Sequence, residues 1–120
     1  MFNYPDDFDG EMLSHIRDSG SEMDQPMVID FAIDAHPKKT AEAVATACEN
    51  ALKEKGYQVE IVAPDDSDPE DNRWSVYCSI HMIPVYDEIV QIQKDLQAIA
   101  EPVGGAADGW GTFGNAPENS

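Results

Sequence analysis

Positive charge is what this chain has least of. Its 120 residues hold 7 Lys plus Arg against 24 Asp plus Glu, a formal net charge of −17 at pH 7. Phosphate backbones are held by Lys and Arg that displace condensed counterions. A chain so short of them is not expected to bind nucleic acid directly, or an anionic membrane surface. Basic protein partners, in contrast, are steered toward such a surface, at rates that fall as salt rises. Cysteine is scarce as well. Cys48 and Cys78 lie far apart and both fall on apolar faces, so buried free thiols in a reducing compartment are expected in place of a disulfide. No apolar run approaches the roughly 18 residues that suggest a membrane span. The start, Met1-Phe2-Asn3-Tyr4-Pro5-Asp6-Asp7, lacks the basic and apolar blocks of a secretory signal. A cytoplasmic protein is the expectation.

Motifs for cofactors are missing too. Gly104-Gly105 and Gly109-Trp110-Gly111 follow a predicted helix instead of opening one, so neither forms a phosphate or dinucleotide loop. His15, His36 and His81 are not at zinc-ligand spacing from each other or from the cysteines. Cys78 and His81 are close, but strand alternation puts them on opposite sheet faces, where the imidazole cannot activate the thiol. The run Asp65-Asp66-Ser67-Asp68-Pro69-Glu70-Asp71 is acidic enough to suggest calcium. Counted from Asp66, its sixth position is Asp71 where an EF-hand has Gly, and its twelfth is Tyr77 where an EF-hand has Glu. A solvated loop is the reading that remains, with a loose cation site as its alternative. No carboxylate pair stands out for acid–base work. The chain reads as a non-enzyme with no metal, no cofactor and no catalytic residue.

What is present is enough apolar sequence, 42%, for one core in a single domain over 1–120. Phe8, Met12, Leu13 and Ile16 recur at helical spacing over 6–18, with Asp6 or Asp7 as cap and Ser19-Gly20-Ser21 as stop. Met27 to Asp34 alternates as a strand. From Pro37 to Lys55, Ala41, Val44, Ala45, Cys48 and Leu52 make a helical stripe, ended at Gly56. Tyr57, Val59 and Ile61 alternate in a second strand. Arg73 to Met82 is the clearest strand, with Trp74, Val76, Cys78, Ile80 and Met82 on one face. After Pro84 a helix runs to about Ala100, and Pro102 to Gly105 breaks it. Ala106 to Phe113 is a short final strand, and 114–120 a flexible tail.

After the first helix the order is β-α-β-β-α-β, over about 26–113. Right-handed crossovers then set both helices on one side of a four-stranded antiparallel sheet, an α+β ferredoxin-like sandwich with an additional N-terminal helix. The opposite face is expected to carry Asp30, Asp34, Gln58, Glu60, Ser75, Tyr77, Ser79 and His81, unless the N-terminal helix covers it. RNA-recognition modules of this topology use aromatic and basic residues there. One tyrosine and three carboxylates suit a basic protein partner better, which makes Asp30, Asp34, Glu60 and Tyr77 candidate contact residues. The glycines around Trp110 give a second candidate, Asp108, Gly109, Trp110, Gly111 and Phe113. Trp110 has two readings here, a plug closing the core or an aromatic anchor for a partner. Spacing favours the plug.

With Gly20-Ser21 after the first helix, Gly56-Tyr57 and Val59 entering the second strand, and Cys78 late in the third, the chain takes on a familiar form. Leu96, Ile99 and Ala100 end the last helix, and Asp108-Gly109-Trp110-Gly111-Thr112-Phe113 closes the pattern. The sequence resembles the bacterial family called regulator of ribonuclease E activity B along essentially its whole length. The resemblance implies a ferredoxin-like fold with an extra N-terminal helix, and a non-catalytic role in binding ribonuclease E and damping its cleavage of RNA. A partner of that kind carries arginine-rich segments, which fits the charge. One departure is the end: inhibitors in the family tend to have a longer acidic tail, and this sequence stops at Asn115-Ala116-Pro117-Glu118-Asn119-Ser120. If the tail makes the inhibitory contact, either weaker binding or service to another partner on the same scaffold is expected. A ferredoxin-like domain that binds a small molecule or cation is the competing reading.

Overall fold

Central to the sheet is β1, Met27–Asp34, whose side chains alternate between buried and accessible along its length. Met27, Ile29, Phe31 and Ile33 are buried, while Val28, Asp30, Ala32 and Asp34 turn outward. In this computed structural model, which describes residues 4–52, 55–64, 73–112 and 114–115, β1 lies between two partners. β3, Ser75–Met82, pairs with it antiparallel along all eight residues, and β4, Ala106–Thr112, pairs antiparallel on its other side. β2, Gln58–Val62, adds antiparallel to β3, so the sheet order is β2-β3-β1-β4.

Among the described residues three α-helices complete the α+β architecture: α1, Phe8–Asp18, α2, Lys38–Ala51, and α3, Tyr86–Ala100. α2 buries Ala41, Val44, Ala45 and Cys48, a stripe of small side chains that brings it close to the sheet. α3 buries Ile89, Leu96 and Ala100, and a turn of 3-10 helix, Glu101–Val103, leads through Gly104 at φ 91° into β4. One core unites the buried face of β1 with Val76 and Cys78 of β3, Leu13 and Ile16 of α1, and Trp110 of β4.

Most expected boundaries are close to those observed, and the differences have local causes. α2 ends at Ala51, with Leu52 as its cap, short of the Lys55 expected. Gly56 at φ 82° takes up the left-handed turn into β2. β3 begins at Ser75, later than the Arg73 expected, although its pairing with β1 extends one step further through the Ala35 amide, which donates to the Trp74 carbonyl at 2.9 Å. Gly114 and Asn115, placed in a flexible tail by sequence, are tied down. The Asn115 side chain accepts from the Glu22 amide at 2.7 Å and donates to the Glu22 carbonyl at 2.9 Å. The acidic run 65–71 and Phe113 lie outside the described residues.

α1 packs on the helix side of the sheet beside α3, and its start is held twice. Asp7 caps it by accepting from the Gly10 amide at 2.8 Å, and its other carboxylate oxygen accepts from the Tyr86 hydroxyl of α3. The Tyr86 bond and the Gly10 amide together hold the Asp7 carboxyl below its usual range. The same bond, with neighbouring carboxylates, pushes Tyr86 up to about 12.

Three substitutions test this packing. Phe31→Ala is expected to lower unfolding stability by ~3–5 kcal/mol in denaturant titrations, as buried aromatic truncations do. Tyr77→Ala, on the outward face of the neighbouring strand, should cost less than about 1 kcal/mol. The Asp7–Tyr86 bond sets a pH window. Its Asp7 side is present above the usual carboxylate value of 3.8 and is lost as pH falls below it. Its Tyr86 side is present below 10.0 and is lost as pH rises toward about 12. Tyr86→Phe should therefore melt lower than the parent at neutral pH, with the gap closing in acid and in strong base.

Candidate partner-binding face

The outward side chains of β1, β2 and β3 line up in rows across the sheet. Asp30 stands opposite Ser79, which stands opposite Gln58. Ala32, Tyr77 and Glu60 form the next row, and Asp34, Ser75 and Val62 the one after. Alternation alone produces this, so the four face residues expected from sequence, Asp30, Asp34, Glu60 and Tyr77, do share one side of the sheet. α1 leaves that side open, because its polar contacts run to α3 and β4 on the helix side. Val28 at 52% and Tyr77 at 38% relative exposure sit on it.

The carboxylates are held in different ways. Ser79 Oγ donates to Asp30 Oδ1 at 2.5 Å, which aims that side chain along the sheet. Asp34 Oδ1 lies 3.0 Å from His36 Nδ1, at the exposed end of β1. Glu60 is exposed on β2.

β4 contributes the second candidate group through a bulge. Trp110 pairs with Phe31 and Ala107 with Ile33, so Asp108 and Gly109 together face the single residue Ala32. Gly109 sits at φ 108°, a backbone region where a side chain would be strained. The extra residue resets the alternation and sends the Trp110 ring to the helix side, where it is 7% exposed. There its indole N–H donates to Asp9 Oδ1 of α1 at 2.8 Å, and Gln93 of α3 reaches the same oxygen at 3.2 Å. The buried ring is the plug arrangement. Its neighbours Asp108, Gly109 and Gly111 remain on the open face.

Small residues leave a hollow there. Ala32, Gly109 and Gly111 carry little or no side chain, and Asp30, Tyr77 and Asp108 stand around them. Together with Thr112 and Trp110 they line a shallow open depression of about 400 Å³. The structure thus brings six of the nine sequence candidates into one concavity and places Asp34 and Glu60 beside it in the same sheet. A depression with two carboxylates and an aromatic ring is suited to a guanidinium or ammonium group, by charge pairing and by stacking on the ring. Sequence reasoning put Ser79 on this face without its bond to Asp30, and it missed Asp9. Both act through tertiary contacts with residues 49 and 101 positions away, and no local pattern marks those contacts.

The thiols take no part in this face. Cys48 and Cys78 are free and fully buried between α2 and β3. The hydrogen bond to Cys48, together with burial, pushes the Cys78 thiol up, away from reactive thiolate. His81 is exposed on the open face, across the sheet from Cys78. Among the described residues no group of three His, Cys, Asp or Glu side chains converges to hold a metal ion. No described helix is long and apolar enough to cross a membrane.

The family model for regulator of ribonuclease activity B, RraB, matches residues 6–112. The chain belongs to the RraB family. The match runs from the start of α1 to the end of β4, so it takes in both the open face and the bulge. RraB proteins are regulators of ribonuclease activity. No curated protein matches the chain significantly. Among solved structures, a C-terminal segment of the alpha subunit of aIF2 from Pyrococcus abyssi aligns with 19% identity and a TM-score of 0.33. That alignment covers 70% of this chain and 49% of the segment, so the RraB chain spans about half its length.

The Asp9–Trp110 bond gives a direct test of the plug. Trp110→Phe, which keeps an aromatic ring but loses the N–H, should cost ~1–3 kcal/mol, the worth of a hydrogen bond to a charged group. In a double-mutant cycle with Asp9→Asn, the two losses should fall short of additive.

Proposed function

We propose that this RraB protein binds ribonuclease E and inhibits or otherwise modulates its cleavage of RNA, in the cytoplasm of a bacterium and without catalytic chemistry of its own. The observation that carries this reading is the family match over 6–112. The charge supports it: a net charge of −17 disfavours direct competition for RNA and favours attraction of a basic protein segment. The sheet order β2-β3-β1-β4, with its helices packed on one side, supports the ferredoxin-like class for the fold.

The contact we assign is the open sheet face, through Asp30, Asp34, Glu60 and Tyr77 with Asp108, Gly109 and Gly111 around the depression. Trp110 serves it from behind. By filling the core it holds the bulge that leaves Asp108 outward. Phe113, a contact candidate from sequence, lies outside the described residues.

Binding of the full chain to purified ribonuclease E is expected at low salt and should weaken as salt rises. Absence of binding at both low and high salt would overturn the reading. Replacing Asp30, Asp34 and Glu60 together by Lys should weaken the complex by about tenfold or more, as reversing facing charges does. The melting temperature should change little.

A further inference from the structure

The two edges of the sheet are finished differently. β4 carries a bulge and two glycines, devices that make an edge a poor template for another strand. β2 has neither. It pairs with β3 in unbroken register from Gln58 to Val62, contains no Gly, Pro or Lys, and is exposed at every position except Val59. It also ends the sheet order, so among the described residues no strand pairs with its outer row of backbone N–H and C=O groups.

Side chains on the two sides of that edge differ in character. Val59 and Ile61 stand opposite the buried Cys78 and Val76, which places them on the helix side. There Leu52, Tyr57 and Val59, with Glu49 and Asn50 of α2, line an open depression of about 520 Å³, and Ile61 is 38% exposed next to it. On the other side, Gln58 and Glu60 project from the open face, Glu60 beside Tyr77. A strand laid along β2 would send alternate side chains toward Val59, Ile61 and Leu52, at the rim of a hollow that Glu49 and Asn50 also line, and to a carboxylate beside an aromatic ring.

We propose that the β2 edge accepts an extended segment of another protein as a fifth strand, one that alternates apolar residues with Lys or Arg. Main-chain hydrogen bonds would supply affinity and the alternating side chains the selectivity. A second copy of this chain is a poor occupant. Two-fold antiparallel pairing about the middle of β2 sets Glu60 against Glu60, and like charges directly opposite destabilise a ladder. Each copy would also bring a net charge of −17. The inference goes beyond the ribonuclease reading, since it concerns how a basic segment docks and not which protein supplies it.

A short synthetic peptide of alternating valine and arginine is the probe, added to the isotope-labelled full chain and followed by NMR and amide hydrogen exchange. Exchange at the amides of 58–62 should slow. N-methylation of alternate peptide amides in one of the two possible sets, and Glu60→Lys in the protein, should each weaken binding by about tenfold or more. The proposal is overturned if both N-methylated peptides bind as well as the parent. It is also overturned if the peptide fails to bind, or if its effects stay confined to Asp30, Tyr77 and Asp108. Sedimentation showing a dimer with β2 protected would assign the edge to a second copy instead. Ribonuclease E binding, measured separately, stands or falls independently of all these outcomes.

Discussion

Alternation along β1 is the constraint on which the rest of this structure depends. Because β1 sits between β3 and β4, its side chains set the two faces of the sheet for both neighbours. Ile29, Phe31 and Ile33 require a cover, which α2, α3 and α1 provide from one side. Asp30 and Asp34 require water or a polar partner, which keeps the other side open. A slip of one residue in register would exchange these two sets, at the expense of the whole core.

The bulge in β4 reconciles that alternation with a tryptophan. Without the extra residue at Asp108 and Gly109, the phase of the strand beyond Ala107 would be reversed, and Trp110 would stand on the polar face. With it, the ring closes the core and its N–H meets Asp9, so the last strand anchors the first helix. The same displacement leaves Gly109 and Gly111 where side chains would otherwise fill the depression. A core requirement and a surface concavity thus arise from one backbone irregularity.

Acidity becomes informative once it has positions. Spread evenly, a net charge of −17 says only that polyanions are avoided and that basic partners are drawn in. The sheet gathers Asp30, Asp34, Glu60 and Asp108 around Tyr77 on a surface that no described helix covers. That arrangement is consistent with the regulatory role of the RraB family, in which the effect is exerted through another macromolecule. Two carboxylates beside an aromatic ring make polar recognition of a basic group a chemistry this face offers.

Periodicity was legible in the sequence because it is local: Met27–Asp34 was bounded to the residue, and the face shared by Asp30, Asp34, Glu60 and Tyr77 followed from counting in twos. The family resemblance was legible for a related reason, since its clearest part, Asp108-Gly109-Trp110-Gly111-Thr112-Phe113, is a contiguous run of residues. Other features depended on residues far apart in the chain. The side of the sheet chosen by α1 is set by Asp7 meeting Tyr86 and Asp9 meeting Trp110, and no spacing within residues 6–18 encodes either. The orientation of Trp110 needed the pairing register of β4 against β1, which exists only when the strands are assembled. By itself, then, the sequence determined which elements form and which side chains share a face, because those follow from backbone geometry over a few residues. Tertiary structure decided which face stayed open and where its hollow lies, because those depend on which distant groups can satisfy each other's hydrogen bonds and fill each other's space.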